Sequence, residues 1–227
     1  MSDTKTRDRL LDEAEILFSE RGYEAVTIRD IAAAAEANLA AVNYHFHGKE
    51  ALYHEVLRRR VVPKRDMLLA ALDGVAAEPD RQLKLEHLFR AFICVHLDDA
   101  LRSRGGEKGM RLLSREMSDP RQGAHVVVRE LIQPVRARVL GLMGELLPEL
   151  GDREHQLLMG TLAGQVIHFA MNWHNMKAHA AIQEPGPCAP MPAIADDLET
   201  YITTVIDHIT TITVAGAEAM RKEAVAS

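Results

Sequence analysis

The chain has 227 residues, 47% of them hydrophobic and 4% aromatic, which is enough for one or two domains that bury a core without disulfides or metal. Its two cysteines, Cys94 and Cys188, have no CxxC spacing, and no run of about 18 apolar residues occurs, so a disulfide framework, a cysteine zinc finger and a membrane span are excluded. The 27 Lys and Arg against 33 Asp and Glu leave a net charge of −6, and residues 1–65 hold 11 of each sign, so all the excess acid lies beyond them.

The start, MSDTKTRDRLLDEAE, is charged throughout and is unlike a signal peptide. A soluble cytoplasmic protein is expected. Leu10, Leu11, Ala14, Leu17 and Phe18 share one face of a helix over 7–20, with Gly22 as its stop. Thr27 caps a second helix through Ile28, Ile31, Ala32 and Ala35. Asp30, three residues on, only approximates the Glu of a capping box. Asn38 caps a third, with Leu39, Val42 and Phe46 inward, and Gly48 punctuates before a longer fourth helix from Lys49. Pro63 is expected to kink or end that helix near Val62.

Further helices are predicted over 83–101, 110–117, 124–147 and 153–178, with 103–109 a loop and Pro134 a kink. Four prolines and a glycine make 183–195 a loop. Residues 201–214 have strand propensity, but Leu198, Ile202, Val205, Ile206, Ile209 and Ile212 follow helical spacing. The fold class is therefore all-α: an N-terminal three-helix domain over 1–50, and a larger helical domain over 51–227.

A helix of about nine residues, a tight turn and a second short helix make a helix-turn-helix. Such a unit lays its second helix in the DNA major groove. Leu17, Phe18, Ile28, Ile31, Leu39, Val42 and Phe46 are its expected core. The run TIRDIAAAAEANLAAVNYHFHGKEALYHEVL, with Gly22-Tyr23 before it, resembles the DNA-binding segment of the TetR family of repressors. The matching elements are Thr27-Ile-Arg-Asp-Ile-Ala, Asn43-Tyr44-His45-Phe46 and Gly48-Lys49-Glu50-Ala-Leu-Tyr53. The turn departs from the family in carrying Glu36 where Gly is usual. The third helix offers Leu39-Ala40-Ala41, with no Lys or Arg for guanine.

The resemblance implies a regulator that binds double-stranded operator DNA, dimerises and answers to a small effector, with no cofactor. Asn38-Leu-Ala-Ala and Leu113-Ser-Arg-Glu-Met117 resemble the CecR-type subgroup. Thr27 and Lys49 suit phosphate oxygens, with Arg29 as a further contact. By resemblance, Tyr44 and His45 also face the DNA backbone. Asn43 suits adenine, and Leu39 and Ala40 suit thymine methyls. Arg58-Arg59-Arg60 reads as a solvated face.

A Met- and aromatic-lined effector pocket is expected from Phe89, Phe92, His96, Met143, His168, Met171 and Trp173, suited to a small apolar or aromatic molecule. Arg111, Arg115 and Glu116 read as surface ion pairs. Dimerisation is assigned to 153–178 and 197–220, through Ala163, Gly164, Ile206, Ile209 and Thr213. A repressor releasing a near-palindromic operator is the leading reading. An activator on the same fold, or a helical interaction module without DNA binding, are the alternatives. An enzyme is disfavoured: no phosphate loop or nucleophile elbow occurs, and the pairs His45/His47 and His168/His174 lack metal-site spacing.

Overall fold

Leucines and alanines at three-four spacing wind the first residues into α1 (Ser2–Arg21), which stops at Gly22, where φ is +79°. The computed structural model describes residues 2–120, 122–180 and 197–226, and every regular element among them is helical. After α1 come α2 (Ile28–Ala34), α3 (Leu39–Phe46), α4 (Lys49–Ala76), α5 (Arg81–Leu97), α6 (Gly106–Ser118), α7 (Ala124–Val127), α8 (Gln133–Leu146), α9 (Asp152–Ala180) and α10 (Leu198–Ala226). Two π-helical turns, Asp98–Arg102 and Val128–Ile132, follow α5 and α7. The proline-rich 183–195 segment and Cys188 lie outside the described residues.

Pro63 does not end its helix. α4 runs through it, with Pro63 exposed and Val61, Leu68 and Leu72 buried. The ring sits on the solvent side, where water can take the carbonyl it leaves unpaired. α6 begins at Gly106, inside the expected loop. Pro134 falls in the first turn of α8, a position that needs no intrahelical N–H bond; the preceding irregularity is the π turn.

Contacts divide the chain into two compact units, Met1–Arg65 with Arg104–Pro134, and Asp66–Ser103 with Val135–Ser227. In the first, Leu10, Ala14, Phe18, Val26, Ile31, Val42, Leu52 and Val56 are fully buried. Each large member stabilises the fold by roughly 1.5–3 kcal/mol relative to exposure. The Tyr53 ring meets Phe18 edge-on at 4.8 Å and Tyr23 at 5.0 Å. Ile28 is only half-buried and Leu39 is exposed, so neither belongs to the expected core.

The Arg58–Arg60 run is not a free cationic face. Arg58 pairs with Glu55 at 2.8 Å and Arg59 with Asp12 at 2.5 Å. Arg60 donates from Nε to the buried Glu15 carboxylate at 2.7 Å and from Nη1 to the Arg104 carbonyl at 3.2 Å. These bonds tie α1 to α4 and to the segment before α6. Arg115 adds a bond from Nη2 to the Glu20 carbonyl at 2.9 Å.

The second unit is built on α5, α8, α9 and α10. Asp80 caps α5, its carboxylate accepting from the Leu83 amide at 2.9 Å. The C-terminus of α8 is closed by side chains: Arg81 Nε donates to the Leu146 carbonyl at 2.8 Å, and a His155 ring nitrogen lies 3.1 Å from the Leu147 carbonyl. Tyr201 packs on Trp173 at 4.9 Å and donates to the Phe169 carbonyl at 2.6 Å.

Ile206, Ile209 and Thr213, expected at a dimer contact, are buried within their own chain. The exposed stripe of α9 is Leu157, Gly160, Thr161, Gly164, Ile167 and Met171, and that of α10 includes Thr204, His208, Thr211, Ile212 and Ala215. Of the other two expected contacts, Gly164 is on the exposed stripe and Ala163 is half-buried.

Candidate nucleic-acid interface

A reciprocal capping box and a single N-cap place α2 and α3. The Asp30 amide donates to Thr27 Oγ1 at 3.1 Å, and the Thr27 amide donates back to Asp30 Oδ2 at 2.8 Å, so aspartate completes the capping box that the sequence only approximates. The Thr27 hydroxyl also donates to Asp30 Oδ2 at 2.7 Å. These bonds, the side-chain one foremost, hold the Asp30 carboxyl below its ordinary pKa. Asn38 Oδ1 accepts from the Ala41 amide at 2.8 Å and starts α3.

The turn between them has a definite form. The Ala37 amide donates to the Ala32 carbonyl at 2.9 Å and the Glu36 amide to the Ala33 carbonyl at 3.2 Å. That is a Schellman closure of α2, and it requires a left-handed residue at its first position past the cap. Glu36 occupies that position with φ of +49°. The chain thus keeps the turn geometry with a residue that strains it.

α3 turns one face inward and one outward. Val42 and Phe46 are buried, whereas Leu39, Ala40, Asn43 and Tyr44 are exposed, Tyr44 at 71%. Positions 39, 40, 43 and 44 share one helical face. Thr27 and Arg29 are exposed at the start of α2. Lys49, in the first turn of α4, holds its ammonium 4.1 Å from the Tyr23 ring centre, a cation–π contact that fixes where its charge sits.

His45 departs from this group. Its side chain is 8% exposed, and Nε2 lies 3.3 Å from the Asp3 carboxylate of α1, between the rings of Tyr44 and Phe46. Sequence reasoning also missed Arg7, whose guanidinium lies over the Phe46 ring at 5.2 Å and reaches Glu55 at 3.4 Å. It missed Glu116 as well, which is buried rather than part of a surface pair: its carboxylate accepts from the Tyr53 hydroxyl and the Gly123 amide. Arg111 does pair at the surface, with Glu107.

The expected effector residues divide by burial. Phe89, Phe92, Met143 and Trp173 are buried in the second unit. His96 is half-buried, its ring 4.2 Å from that of Phe92 and Nδ1 2.8 Å from the Phe92 carbonyl. His168 and Met171 are exposed on α9. An open cavity of about 530 Å³ between the end of α4 and α5 is lined by other residues, among them Val75, His87, Arg90 and Cys94. Its polar rim is internally paired, His87 with Glu78 at 3.7 Å and Arg90 with Asp207 at 2.8 Å. Burial pushes the Cys94 thiol up. Among the described residues no three His, Cys, Asp or Glu side chains group as a metal site would need, and no helix is long and apolar enough to cross a membrane.

Comparison with known proteins agrees with this arrangement. Residues 10–56 match the family described as bacterial regulatory proteins, tetR family, and residues 81–217 match the C-terminal domain of the HTH-type transcriptional dual regulator CecR. YttP of Bacillus subtilis (strain 168), designated a probable HTH-type transcriptional regulator, is 25% identical over 84 residues, covering 37% of this chain and 41% of its own length. IcaR of Staphylococcus aureus (strain Newman), the negative regulator of the biofilm operon icaADBC, is 36% identical over 52 residues, covering 23% of this chain and 28% of its own. The chain thus spans less than half the length of these curated relatives. A Clostridium perfringens protein designated a fatty acid metabolism regulator has the same fold, with a TM-score of 0.61 at 16% identity over 92% of this chain and 97% of that one. With the match at 81–217 covering more than half of its length, the chain belongs to the TetR family of bacterial regulatory proteins and carries a CecR-type C-terminal domain.

Proposed function

We propose that this protein is a homodimeric transcriptional repressor that binds a near-palindromic DNA operator and is released by a small apolar or aromatic effector. The observation that carries the reading is the outward face of α3. Leu39, Ala40, Asn43 and Tyr44 stand exposed on a helix started by the Asn38 cap, with Thr27 and Lys49 at its flanks. A short helix presented this way enters the major groove, and the flanking groups meet phosphates. His45 contributes by packing α3 onto α1 rather than by touching DNA. The negative regulation named for IcaR favours a repressor over an activator.

The exposed stripes of α9 and α10 supply the dimer contact, their Gly, Ala and Thr residues permitting close approach of helices. A two-fold dimer presents two α3 helices to two half-sites. The effector is taken up in the second unit near Phe92 and His96, where a half-buried imidazole borders buried aromatic surface. It shifts the equilibrium only through unequal affinity for the bound and released conformations.

The experiment is binding of the purified chain to the DNA upstream of its own gene across a salt series, with Tyr44→Ala and Lys49→Ala beside the parent. The expected result is tight binding to one near-palindrome that weakens steeply with salt. Lys49→Ala should lower the logarithmic salt slope by about one for each chain. A folded dimer that selects no sequence from a genome-wide library would sink the DNA-binding reading in favour of the helical interaction module.

A further inference from the structure

We infer that each operator half-site is read chiefly through a thymine methyl group packed on Leu39, with Asn43 reading an adjacent adenine. This rests on the DNA-binding reading above and specifies the chemistry of the DNA that the same face accepts.

α3 offers a base edge few polar groups. Its eight residues, LAAVNYHF, include neither Lys nor Arg. Guanine is most often recognised by a bidentate Arg or Lys at O6 and N7, so that contact has no donor here. Tyr44, 71% exposed on the same face, is assigned by resemblance to the DNA backbone, and most of the other polar side chains around it are committed. Asn38 has given its carbonyl oxygen to the Ala41 amide. His45 faces Asp3 inside the domain. Thr27 and Asp30 are bonded to each other at the start of α2. Asn43 is exposed, and its amide can both accept from adenine N6 and donate to N7.

Leu39 is the unusual member of the face. It lies in the first turn of α3, the end of a recognition helix that reaches base edges, and 45% of it is exposed. One and two turns on, Val42 and Phe46 are buried. The fold therefore leaves a branched apolar side chain in water beside Ala40, whose small size leaves room around it. The major-groove group that gains from such a surface is the C5 methyl of thymine, the one apolar projection on any base edge.

The test removes that methyl and nothing else. Half-sites are first selected from random duplex DNA with the full-length protein. Deoxyuridine then replaces thymine at each selected position in turn, keeping O4 and the base pairing. One thymine per half-site should show a loss of about fourfold on replacement, the worth of one buried carbon group, and about 15-fold when both half-sites are changed. Leu39→Ala should weaken binding to the thymine duplex and erase the difference between thymine and uracil at that position alone. Its circular dichroism should match the parent, because the residue lies outside the core. Asn43→Ala should relax the adjacent adenine and leave the uracil effect in place. Tight selected binding that is indifferent to uracil everywhere, or a uracil effect that survives Leu39→Ala, would overturn this inference while the DNA-binding reading stands. Failure of the folded protein to select any duplex would overturn both.

Discussion

The Tyr53 hydroxyl donates to Glu116 Oε1 at 2.5 Å, joining α4 to α6 inside the unit that carries the helix-turn-helix. The second carboxylate oxygen accepts from the Gly123 amide at 2.9 Å, so the pair also fixes the chain that enters α7. Tyr53 is 2% and Glu116 5% exposed. A carboxylate this enclosed persists only if its oxygens are satisfied. Replacing Tyr53 with Phe removes one of the two donors while keeping the ring against Phe18 and Tyr23. The expected loss in urea unfolding is about 1.5–3 kcal/mol, the range for a hydrogen bond to a charged group.

The same pair predicts an alkaline limit. Burial foremost, then the hydrogen bond to Glu116 and its negative charge, push the Tyr53 phenol far above its ordinary value. In the unfolded chain it ionises near pH 10. A group whose pKa is raised by folding contributes its stability fully below the unfolded value and loses it as pH rises toward the folded one. Unfolding free energy should therefore fall above about pH 10, by at most ~1.4 kcal/mol per pH unit from this residue. Tyr53→Phe should flatten that part of the profile, read by unfolding at matched ionic strength. An unchanged slope in the variant would remove Tyr53 as its source.

Gly123 tests the packing behind this pair. A Cβ built on it would stand 2.2 Å from Leu57 Cδ1, 3.0 Å from a Tyr53 ring carbon and 3.1 Å from the Glu116 carboxyl carbon. Its φ is −113°, a value any residue adopts, so steric crowding is isolated from backbone strain. Gly123→Ala should destabilise by about 1–3 kcal/mol, as overpacking does. A neutral result in thermal unfolding would mean that Leu57 and Tyr53 can both move aside.

How far these features can be read from sequence depends on whether one face of a helix is apolar or two. Leu10, Ala14, Leu17 and Phe18 mark α1 because its other face is charged. In α10 the apolar residues cover more than one face, so periodicity identifies the helix but cannot say which side is inside; Ile206, Ile209 and Thr213 therefore read as subunit contacts although they pack inward. Leu39 fits both a core stripe and an exposed one, and only its place in the folded chain separates them. His45 is set by Asp3, 42 residues earlier, a contact no local pattern carries. Glu116 did leave a signal: it shares the buried face of α6 with Gly109 and Leu112, and no Lys or Arg stands three or four residues from it. An acid on an apolar face with no helical partner points to a partner elsewhere in the fold.

Glu36 is the clearest case of local strain. It closes α2 in the left-handed region, a conformation that costs a residue with a Cβ about 1–2 kcal/mol. Glu36→Gly relieves that strain while giving the unfolded chain more freedom, so a net gain of about 1 kcal/mol is expected. For a chain of this size the melting temperature should rise by roughly 2–4 °C. The gain should be absent from Glu36→Ala, which keeps the Cβ and removes only the charge. If both variants gained equally, charge rather than backbone geometry would be the cause.

The exposed and buried sides of the last two helices make opposite predictions for charged substitutions. Ile167 is 49% exposed on the α9 stripe with Leu157, Gly164 and Met171, whereas Ile209 is fully buried in α10. In the proposed dimer, Ile167→Glu would place a charge between the two copies, an uncompensated desolvation that such a contact does not tolerate. It should give a folded, helical monomer by sedimentation equilibrium. Operator affinity should then fall steeply, because each half-site is bound alone and the second α3 no longer arrives at high effective concentration. Ile209→Glu puts the charge into the chain's own core and should abolish cooperative unfolding instead. A dimer that survives Ile167→Glu with its affinity intact would move the subunit contact off this stripe, and the exposed isoleucine and methionine on it would then need a different explanation.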